Sequence, residues 1–315
     1  MTRAPALLVV AGATATGKSG LAIRVALALR SEGVQARIIS ADSRQVFRGL
    51  DIGTAKVPAG ERQGIPHHGL DLVDPDENFS VAAFASHVAG VLASIAADGG
   101  LAILAGGTGF YLRAIVRGLD VEALPSDAAA RRDIEEDILA NGLESAASRL
   151  RSLAPTRAGR VDLRNPRRVA RALEIAVLRG DDPLPAPRDY NGPVSWLGLA
   201  ADPGTHESWI SERAQAQFDG GLLEEARGLR ERYDPGLPAF SAMGYREAWA
   251  VLDGGLSSEE GVSEIVRRTV AFAKRQRTWF RREGTIEWID PEDRALDDRA
   301  LAVAHALLDE ARGRS

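Results

Sequence analysis

The 315-residue sequence contains no cysteine and only five histidines. The absence of cysteine excludes disulfides and thiolate metal sites, and it fits a reducing cytoplasm, which is the location that we expect. The adjacent pair His67-His68 has no third histidine near it in the sequence, so we expect a structural or substrate-contact role for it, not a zinc site.

The sequence also lacks long hydrophobic runs and an excess of positive charge. The first apolar run, Leu7-Leu-Val-Val-Ala11, is too short to span a bilayer, and signal cleavage just after it would detach a predicted strand. We therefore expect neither a membrane span nor a signal peptide. The net charge is −5, so a nucleic-acid partner can be argued only from local basic clusters.

A glycine-rich segment follows that apolar run directly: Gly12-Ala-Thr-Ala-Thr-Gly-Lys18-Ser19. A strand, a glycine loop and a helix start in this order are typical of a pyrophosphate-binding loop (P-loop). The glycines let Thr14, Ala15 and Thr16 turn their backbone N–H groups inward, Lys18 adds a positive charge, and Ser19 offers a hydroxyl to Mg²⁺. The alternative is a chance match in an ordinary glycine turn, and the loop alone leaves open whether the phosphates belong to a nucleotide.

Short apolar runs at 7–11, 36–41 and 100–105 alternate with helical segments. This alternation predicts an α/β fold, with a parallel P-loop sheet as the core and helices flanking it. An Arg- and Ala-rich helical stretch at 121–196 predicts an inserted all-helical subdomain, which leaves 1–120 and 197–315 as the catalytic core. With 45% hydrophobic residues, the chain can bury one large core and a smaller satellite.

Two polar residues follow predicted strands of this sheet. Asp42 comes after a strand that we expect beside the P-loop, and it is the candidate general base. A helix N-cap and a magnesium ligand are the alternatives for Asp42. Thr108, in Gly106-Gly-Thr-Gly109, can donate a hydrogen bond to a ligand, although such a turn is also common as a purely structural feature.

Basic residues cluster in two places. Within the insertion, the cluster comprises Arg157, Arg160, Arg164, Arg167, Arg168 and Arg171. This density favours a phosphate-backbone partner over a merely solvated face. On a predicted helix at 263–283, a buried stripe of Ile265, Phe272 and Trp279 leaves Arg267, Lys274 and Arg281 on another face, where they can meet RNA, diphosphate or water.

Ten motifs together resemble the tRNA dimethylallyltransferases, in that family's order and over residues 7 to 283. They are the loop at 12–19, Asp42-Ser-Arg-Gln45, Asp51-Ile-Gly-Thr-Ala-Lys56, Pro66-His-His68, Asp74-Pro75, Phe79-Ser-Val81, Gly106-Gly-Thr-Gly109, Asn165-Pro-Arg-Arg-Val-Ala-Arg-Ala-Leu-Glu174, Gly244-Tyr-Arg246, and Lys274-Arg-Gln276 with Thr278-Trp279. Each motif is common, but the combination is specific.

The resemblance implies transfer of a dimethylallyl group from dimethylallyl diphosphate to N6 of the adenosine on the 3′ side of the anticodon, with release of diphosphate. Mg²⁺ and the P-loop would hold the diphosphate, Asp42 would accept the proton of the amine, and Thr108 would orient the base or the bridging oxygen. The implied partner is a tRNA anticodon stem-loop, and we expect a monomer.

The resemblance also implies which residues bind each substrate. Those expected to contact tRNA are Asp42, Ser43, Arg44, Gln45, Thr108, Arg131, Arg167, Arg168, Val169, Ala170 and Arg171. Two departures from the family pattern are Phe47, where tyrosine is common, and Ser241, where some members have arginine. Arg246 and Lys274 are therefore the residues expected to contact the diphosphate in place of the arginine that is absent at position 241.

Two other hypotheses stay open at this point. The same loop serves small-molecule kinases that use ATP. A phosphate loop beside basic clusters also suits a non-catalytic, nucleotide-dependent RNA-binding switch.

Overall fold

The computed structural model describes residues 4–118, 126–183, 186 and 188–313. Six parallel strands form one sheet in this part of the chain, in the order β3-β2-β4-β1-β5-β6. Their bounds are β1 Ala6–Gly12, β2 Ala36–Ser40, β3 His67–His68, β4 Leu101–Gly106, β5 Val194–Leu199 and β6 Ile286–Ile289. The predicted α/β fold is confirmed.

Helices cover both faces of the sheet. In chain order they are α1 Lys18–Ser31, α2 Val81–Ala97, α3 Gly109–Val116, α4 Ala128–Asn141, α5 Leu143–Leu153, α6 Pro155–Ala158, α7 Pro166–Arg179, α8 Pro203–Asp219, α9 Leu222–Arg230, α10 Tyr245–Leu252, α11 Ser258–Phe280 and α12 Leu296–Gly313. No helix within the described residues is long and apolar enough to cross a membrane.

The central strand β1 is buried along its whole length because both of its faces are covered. Leu7 and Val9 point into the core that α2, α3 and α8 to α11 share, whereas Leu8 and Val10 pack with α1 and α12. This alternation is the period of two that a strand imposes on its side chains. The loop after β1 therefore starts from a fully buried strand.

The neighbours of β1 are β4 and β5, so β2, the strand that Asp42 follows, does not pair with the P-loop strand. β4 lies between β1 and β2, and it pairs with β2 along Ala36 to Ser40. Asp42 still reaches the same edge, because the carboxyl ends of all parallel strands in a sheet meet there.

Residues 119–188 form a compact unit of their own, and its described elements are α4 to α7. Its small core includes Leu150 and Leu173. The predicted end of the insertion at 196 is wrong, because β5 already pairs with β1 from Val194, opposite Leu7. Residues 194–196 therefore belong to the sheet.

The burial pattern of α11 differs from the predicted stripe. Its buried residues are Gly261, Ile265, Thr269, Ala273, Gln276 and Phe280. Their spacing of three and four residues follows the α-helical period, whereas a strict spacing of seven drifts around a straight helix. Phe272 and Trp279 are consequently only half-buried.

Candidate active site

The loop between β1 and α1 depends on two glycines with positive φ. Gly12 has a φ of +146°, and a Cβ there would lie 2.6 Å from the Leu199 carbonyl oxygen of β5. Gly17, with φ +81°, occupies the left-handed region and caps α1. Only glycine enters these conformations without strain, so the loop follows from the sequence as predicted.

Side chains inside the loop stabilise its curl. The Thr16 hydroxyl is buried and donates to the Ala13 carbonyl oxygen at 2.9 Å. The Lys18 ammonium donates to the same oxygen at 2.5 Å. Ala15 is one of few non-glycine residues with positive φ, at +63°, a conformation that costs an alanine roughly 1–2 kcal/mol.

A cavity of about 230 Å³ opens beside this loop. It joins predicted site residues from the P-loop and from the end of β2 with side chains that were not among the predicted site residues. The predicted residues along it are Thr14, Ala15, Thr16, Gly17, Lys18, Ser19, Asp42 and Gln45, and the unpredicted side chains include Arg213 and Gln276. The cavity therefore brings the P-loop and the end of β2 together at the carboxyl edge of the sheet.

The charges at the cavity favour an anionic ligand. Burial and the neighbouring Arg213 lower the pKa of Lys18 from 10.5 to about 8, against the opposing effect of Asp42. Burial likewise lowers the pKa of Arg213, against the attraction of Asp42. Two cations that destabilise each other next to one carboxylate are stabilised when a ligand brings negative charge.

Asp42 is held by backbone hydrogen bonds at the start of its loop. One of its carboxylate oxygens accepts from the Arg44 amide at 2.8 Å. The backbone amide of Ser43, between these two residues, donates to the Thr108 hydroxyl oxygen at 3.1 Å, and the Thr108 amide donates to the Ala41 carbonyl oxygen. Thr108 does not line the cavity, so in this structure it positions the Asp42 loop.

Gln45 anchors one wall of the cavity. Its amide oxygen accepts from the Ser40 hydroxyl at 2.7 Å, and its amide nitrogen donates to the carbonyl oxygen of Thr54 at 3.0 Å. The adjoining residues 51–53 donate three backbone hydrogen bonds to the carboxylate of Glu225. The Asp51-Ile-Gly-Thr-Ala-Lys56 motif is thus fixed against α9 by a single side chain.

Gln276 links the two glycine-rich loops. Its amide oxygen accepts from the Thr14 backbone nitrogen at 2.9 Å, and its amide nitrogen donates to the Gly107 carbonyl oxygen at 2.8 Å. A Cβ on Gly107 would lie 2.3 Å from that amide nitrogen. Gln276 belongs to the motif Lys274-Arg-Gln276, so the sequence contained a signal for it. The sequence contained no such signal for Arg213 of α8.

Neither Arg246 nor Lys274 lines the cavity, and the second cation there is Arg213. Lys274 precedes Gln276 by two residues, a rotation of about 200° on a helix, so it points away when Gln276 faces the loop. Arg246 is exposed between two buried neighbours, Tyr245 and Glu247. The cation that lines the cavity together with Lys18 is therefore Arg213, and the diphosphate contact of Arg246 and Lys274 stays a prediction.

The arginines of the helical unit fall into two groups. Arg131 and Arg171 pair with the fully buried carboxylate of Glu174, each at 2.7 Å. Burial raises the pKa of Glu174, but hydrogen bonds from Arg171, the Asp127 amide and Arg131 outweigh it and leave the pKa below its ordinary value. These two arginines therefore stabilise the unit.

The other residues of this unit that were predicted to contact tRNA, Arg167 to Ala170, lie in the first turns of α7. The side chains of Val169 and Ala170 are buried in the core of the unit, so a contact of these two residues with tRNA stays a prediction that only their backbone could fulfil. Arg167 and Arg168 are exposed. They place positive charge at a helix N-terminus, where the helix dipole also favours an anion.

The fold and this cavity define an α/β protein with a glycine-rich loop after its central strand and a carboxylate beside that loop. A family model described as IPP transferase matches residues 45–283. The chain belongs to the IPP transferase family.

Known relatives span nearly the whole chain. The tRNA dimethylallyltransferase of Anaeromyxobacter sp. (strain K) is 43% identical over 290 residues and covers 90% of this chain and 93% of its own. That of Symbiobacterium thermophilum is 41% identical over 291 residues, covering 90% and 89%. The solved tRNA isopentenylpyrophosphate transferase of Bacillus halodurans has a TM-score of 0.69 and 32% identity, covering 98% and 97%. A eukaryotic dimethylallyltransferase solved acting on tRNA shares the fold, with a TM-score of 0.79 at 24% identity and coverage of 96% and 79%.

Proposed function

We propose that this protein transfers the dimethylallyl group of dimethylallyl diphosphate to the exocyclic N6 of the adenosine on the 3′ side of the tRNA anticodon, with release of diphosphate. The observation that carries the proposal is the cavity in which the P-loop, two cations and Asp42 meet. Membership of the IPP transferase family favours this transfer over the kinase hypothesis and over a non-catalytic switch.

At the diphosphate end, the chain supplies positive potential. The allylic C–O bond breaks with its electron pair leaving on the diphosphate oxygen. Backbone N–H groups of the loop, the Lys18 ammonium and the Arg213 guanidinium are placed to take up this charge, and groups that are already oriented need little reorganisation when it develops. The loop would thus stabilise a leaving group.

At the acceptor end, a base is needed. The N6 amine of adenine is a weak nucleophile because its lone pair is delocalised into the ring. Asp42 is the carboxylate at the cavity, and it would accept the N6 proton as the C–N bond forms. The adenine must leave its stack in the anticodon loop to reach this group.

The predicted Mg²⁺ fits the donor set. No cluster of three or more metal-binding side chains occurs among the described residues, so the chain offers no closed cage. Ser19, exposed at the cavity, supplies one hydroxyl oxygen. This suits Mg²⁺, which keeps water ligands and binds substrate phosphates. When bound, the ion would add positive charge at the diphosphate oxygens.

We assign tRNA binding to the helical unit at 119–188 through its exposed arginines, with Arg167 and Arg168 at its centre. Phosphate contacts of this kind position a nucleic acid without reading its sequence. The residues 42–45 would face the tRNA at the acceptor end. Cytoplasmic location and a monomeric state stay predictions.

The decisive experiment is label transfer. The protein is incubated with Mg²⁺, radiolabelled dimethylallyl diphosphate and unmodified tRNA, and a parallel arm contains labelled ATP and candidate acceptors. We expect label in tRNA from the first arm only. Asp42→Asn should lower turnover about 100-fold or more and leave tRNA affinity within about twofold.

Asp76→Asn is the matched control, because Asp76 is an exposed carboxylate away from the cavity. It should retain full turnover. The absence of label in tRNA would refute the proposed transfer, and full turnover in Asp42→Asn would assign Asp42 a structural role.

A further inference from the structure

The peptide between Thr14 and Ala15 in the P-loop is held by a buried histidine of α8. The His206 side chain is 2% exposed. Its Nε2 lies 2.7 Å from the Thr14 carbonyl oxygen, and its Nδ1 lies 3.0 Å from Nη1 of Arg277. A carbonyl oxygen only accepts and a guanidinium only donates, so His206 is neutral with its proton on Nε2.

The charges around His206 maintain this neutral form. The groups that act on it are Lys18 of α1, Arg213 of its own helix and Arg277 of α11, and all three are cations. Burial lowers the pKa of His206, the hydrogen bond to Thr14 partly opposes this, and the three cations lower it further. At neutral pH, Nε2 of His206 therefore still donates to Thr14, and its unprotonated Nδ1 still accepts from Arg277.

The peptide that His206 holds has a conformation that is unfavourable for the backbone of an alanine. Ala15 has a φ of +63°, in the left-handed region that alanine avoids because of its Cβ. Turning over the Thr14–Ala15 peptide changes this φ by about 180° and brings it into the ordinary negative range. The same turn exchanges the directions of the Thr14 carbonyl and the Ala15 N–H, which point opposite ways in a trans peptide.

We propose that His206 is a positioning residue for the diphosphate: its hydrogen bond holds the Thr14 carbonyl outward and thereby directs the Ala15 N–H at the phosphates. Arg277 fixes the ring by donating to Nδ1. Gln276 holds only the preceding peptide, through the Thr14 nitrogen, so it does not replace this bond. The inference rests on the proposed function in one respect, that a diphosphate is the ligand of the loop.

The test measures the dissociation constant for inorganic pyrophosphate with Mg²⁺ by calorimetry, together with tRNA affinity. His206→Gln and His206→Asn form a matched pair. The glutamine amide can reach the position of Nε2 and can also accept from Arg277, whereas the asparagine amide is one methylene too short. We expect pyrophosphate binding within about threefold of wild type for H206Q and about tenfold weaker for H206N, with tRNA affinity unchanged in both.

A second variant tests the role of the backbone. Glycine enters the left-handed region as readily as the right-handed one, so Ala15→Gly reduces the need for the His206 bond. In the H206N background, A15G should recover most of the lost pyrophosphate affinity, a larger gain than the same substitution gives in the wild-type background. Such recovery is coupling between the two positions, which a general loss of stability would not produce.

Two results would overturn the inference: equal pyrophosphate affinity in H206Q and H206N, or no recovery when A15G is added. Wild-type protein that fails to bind pyrophosphate would instead refute the diphosphate site itself, and the proposed function with it. The two failures are therefore distinguishable.

Discussion

Lys18 makes diphosphate binding sensitive to alkaline pH. Its pKa is lowered to about 8 by burial and by Arg213, so the free protein carries the Lys18 charge on about 90% of molecules at pH 7 and on about 10% at pH 9. An ordinary lysine would still be almost fully charged at pH 9. Only the charged form attracts the diphosphate, so affinity should fall about ninefold between these two pH values.

The sign follows from linkage. An anionic ligand favours the ammonium over the amine, so the pKa of Lys18 rises on binding and a proton is taken up above pH 8. Stable binding is therefore expected below the pKa of the free protein, and affinity declines as the pH rises through it. Arg213→Gln removes a repelling cation, so the midpoint of this decline should move to higher pH while affinity at pH 7 weakens.

The assay is the dissociation constant of a non-transferable thiolo analogue of dimethylallyl diphosphate, measured from pH 6.5 to 9.5 at constant ionic strength. Lys18→Arg is the critical variant, because a guanidinium does not titrate in this range. We expect its affinity, whatever its absolute value, to be flat from pH 7 to 9. A ninefold decline that persists in K18R would show that another group titrates, and would refute the reasoning.

Three further predictions follow from the described contacts. Arg167→Ala should weaken tRNA binding and reduce by about one unit the slope of the logarithm of the binding constant against the logarithm of the salt concentration. Arg179→Ala, about 18 Å further along the same helix, should change neither quantity. Equal slopes in the two variants would contradict a phosphate contact at Arg167. Glu174→Gln should destabilise the helical unit by about 3 kcal/mol in urea unfolding, because it removes a buried partner of two arginines, and a loss below about 0.5 kcal/mol would contradict that role. The free energy of unfolding should also decline by up to about 1.4 kcal/mol per pH unit per histidine as the pH falls below 6.5. A free energy of unfolding that stays constant from pH 8 to pH 5 would contradict this prediction. The groups responsible, whose pKa values burial lowers in the folded protein, are His67, His68, His87 and His206.

Features encoded in adjacent residues could be predicted from the sequence. The P-loop needs glycine where φ is positive and a lysine at the helix start, and all of these lie between residues 12 and 19. Asp42 could be placed at the site because strand ends meet at one edge, even though its strand does not pair with β1. Strand order depends on pairings such as Ala36 with Leu101 and Ala6 with Leu101, which are distant in the sequence, and local pattern carries little information about them.

The sequence also did not reveal which residues of the helical unit stabilise it. A run of arginines predicts positive charge, but it does not reveal which guanidinium faces a buried carboxylate. Glu174 lies 43 residues after Arg131 and three after Arg171, and it pairs with both. The same helix buries Val169 and Ala170, so a contiguous motif contains packing residues and exposed cations side by side.

The loop shows most clearly where local sequence stops being sufficient. The backbone of Thr14 makes two hydrogen bonds with side chains from distant parts of the chain: its N–H donates to Gln276, at a separation of 262 residues, and its carbonyl oxygen accepts from His206, at 192. The glycine pattern allows the curled conformation, but it does not select it, because Ala15 would adopt a negative φ if it were released. Selection comes from α8 and α11. A P-loop motif therefore predicts that phosphates bind, while the affinity for them depends on residues that the motif does not contain.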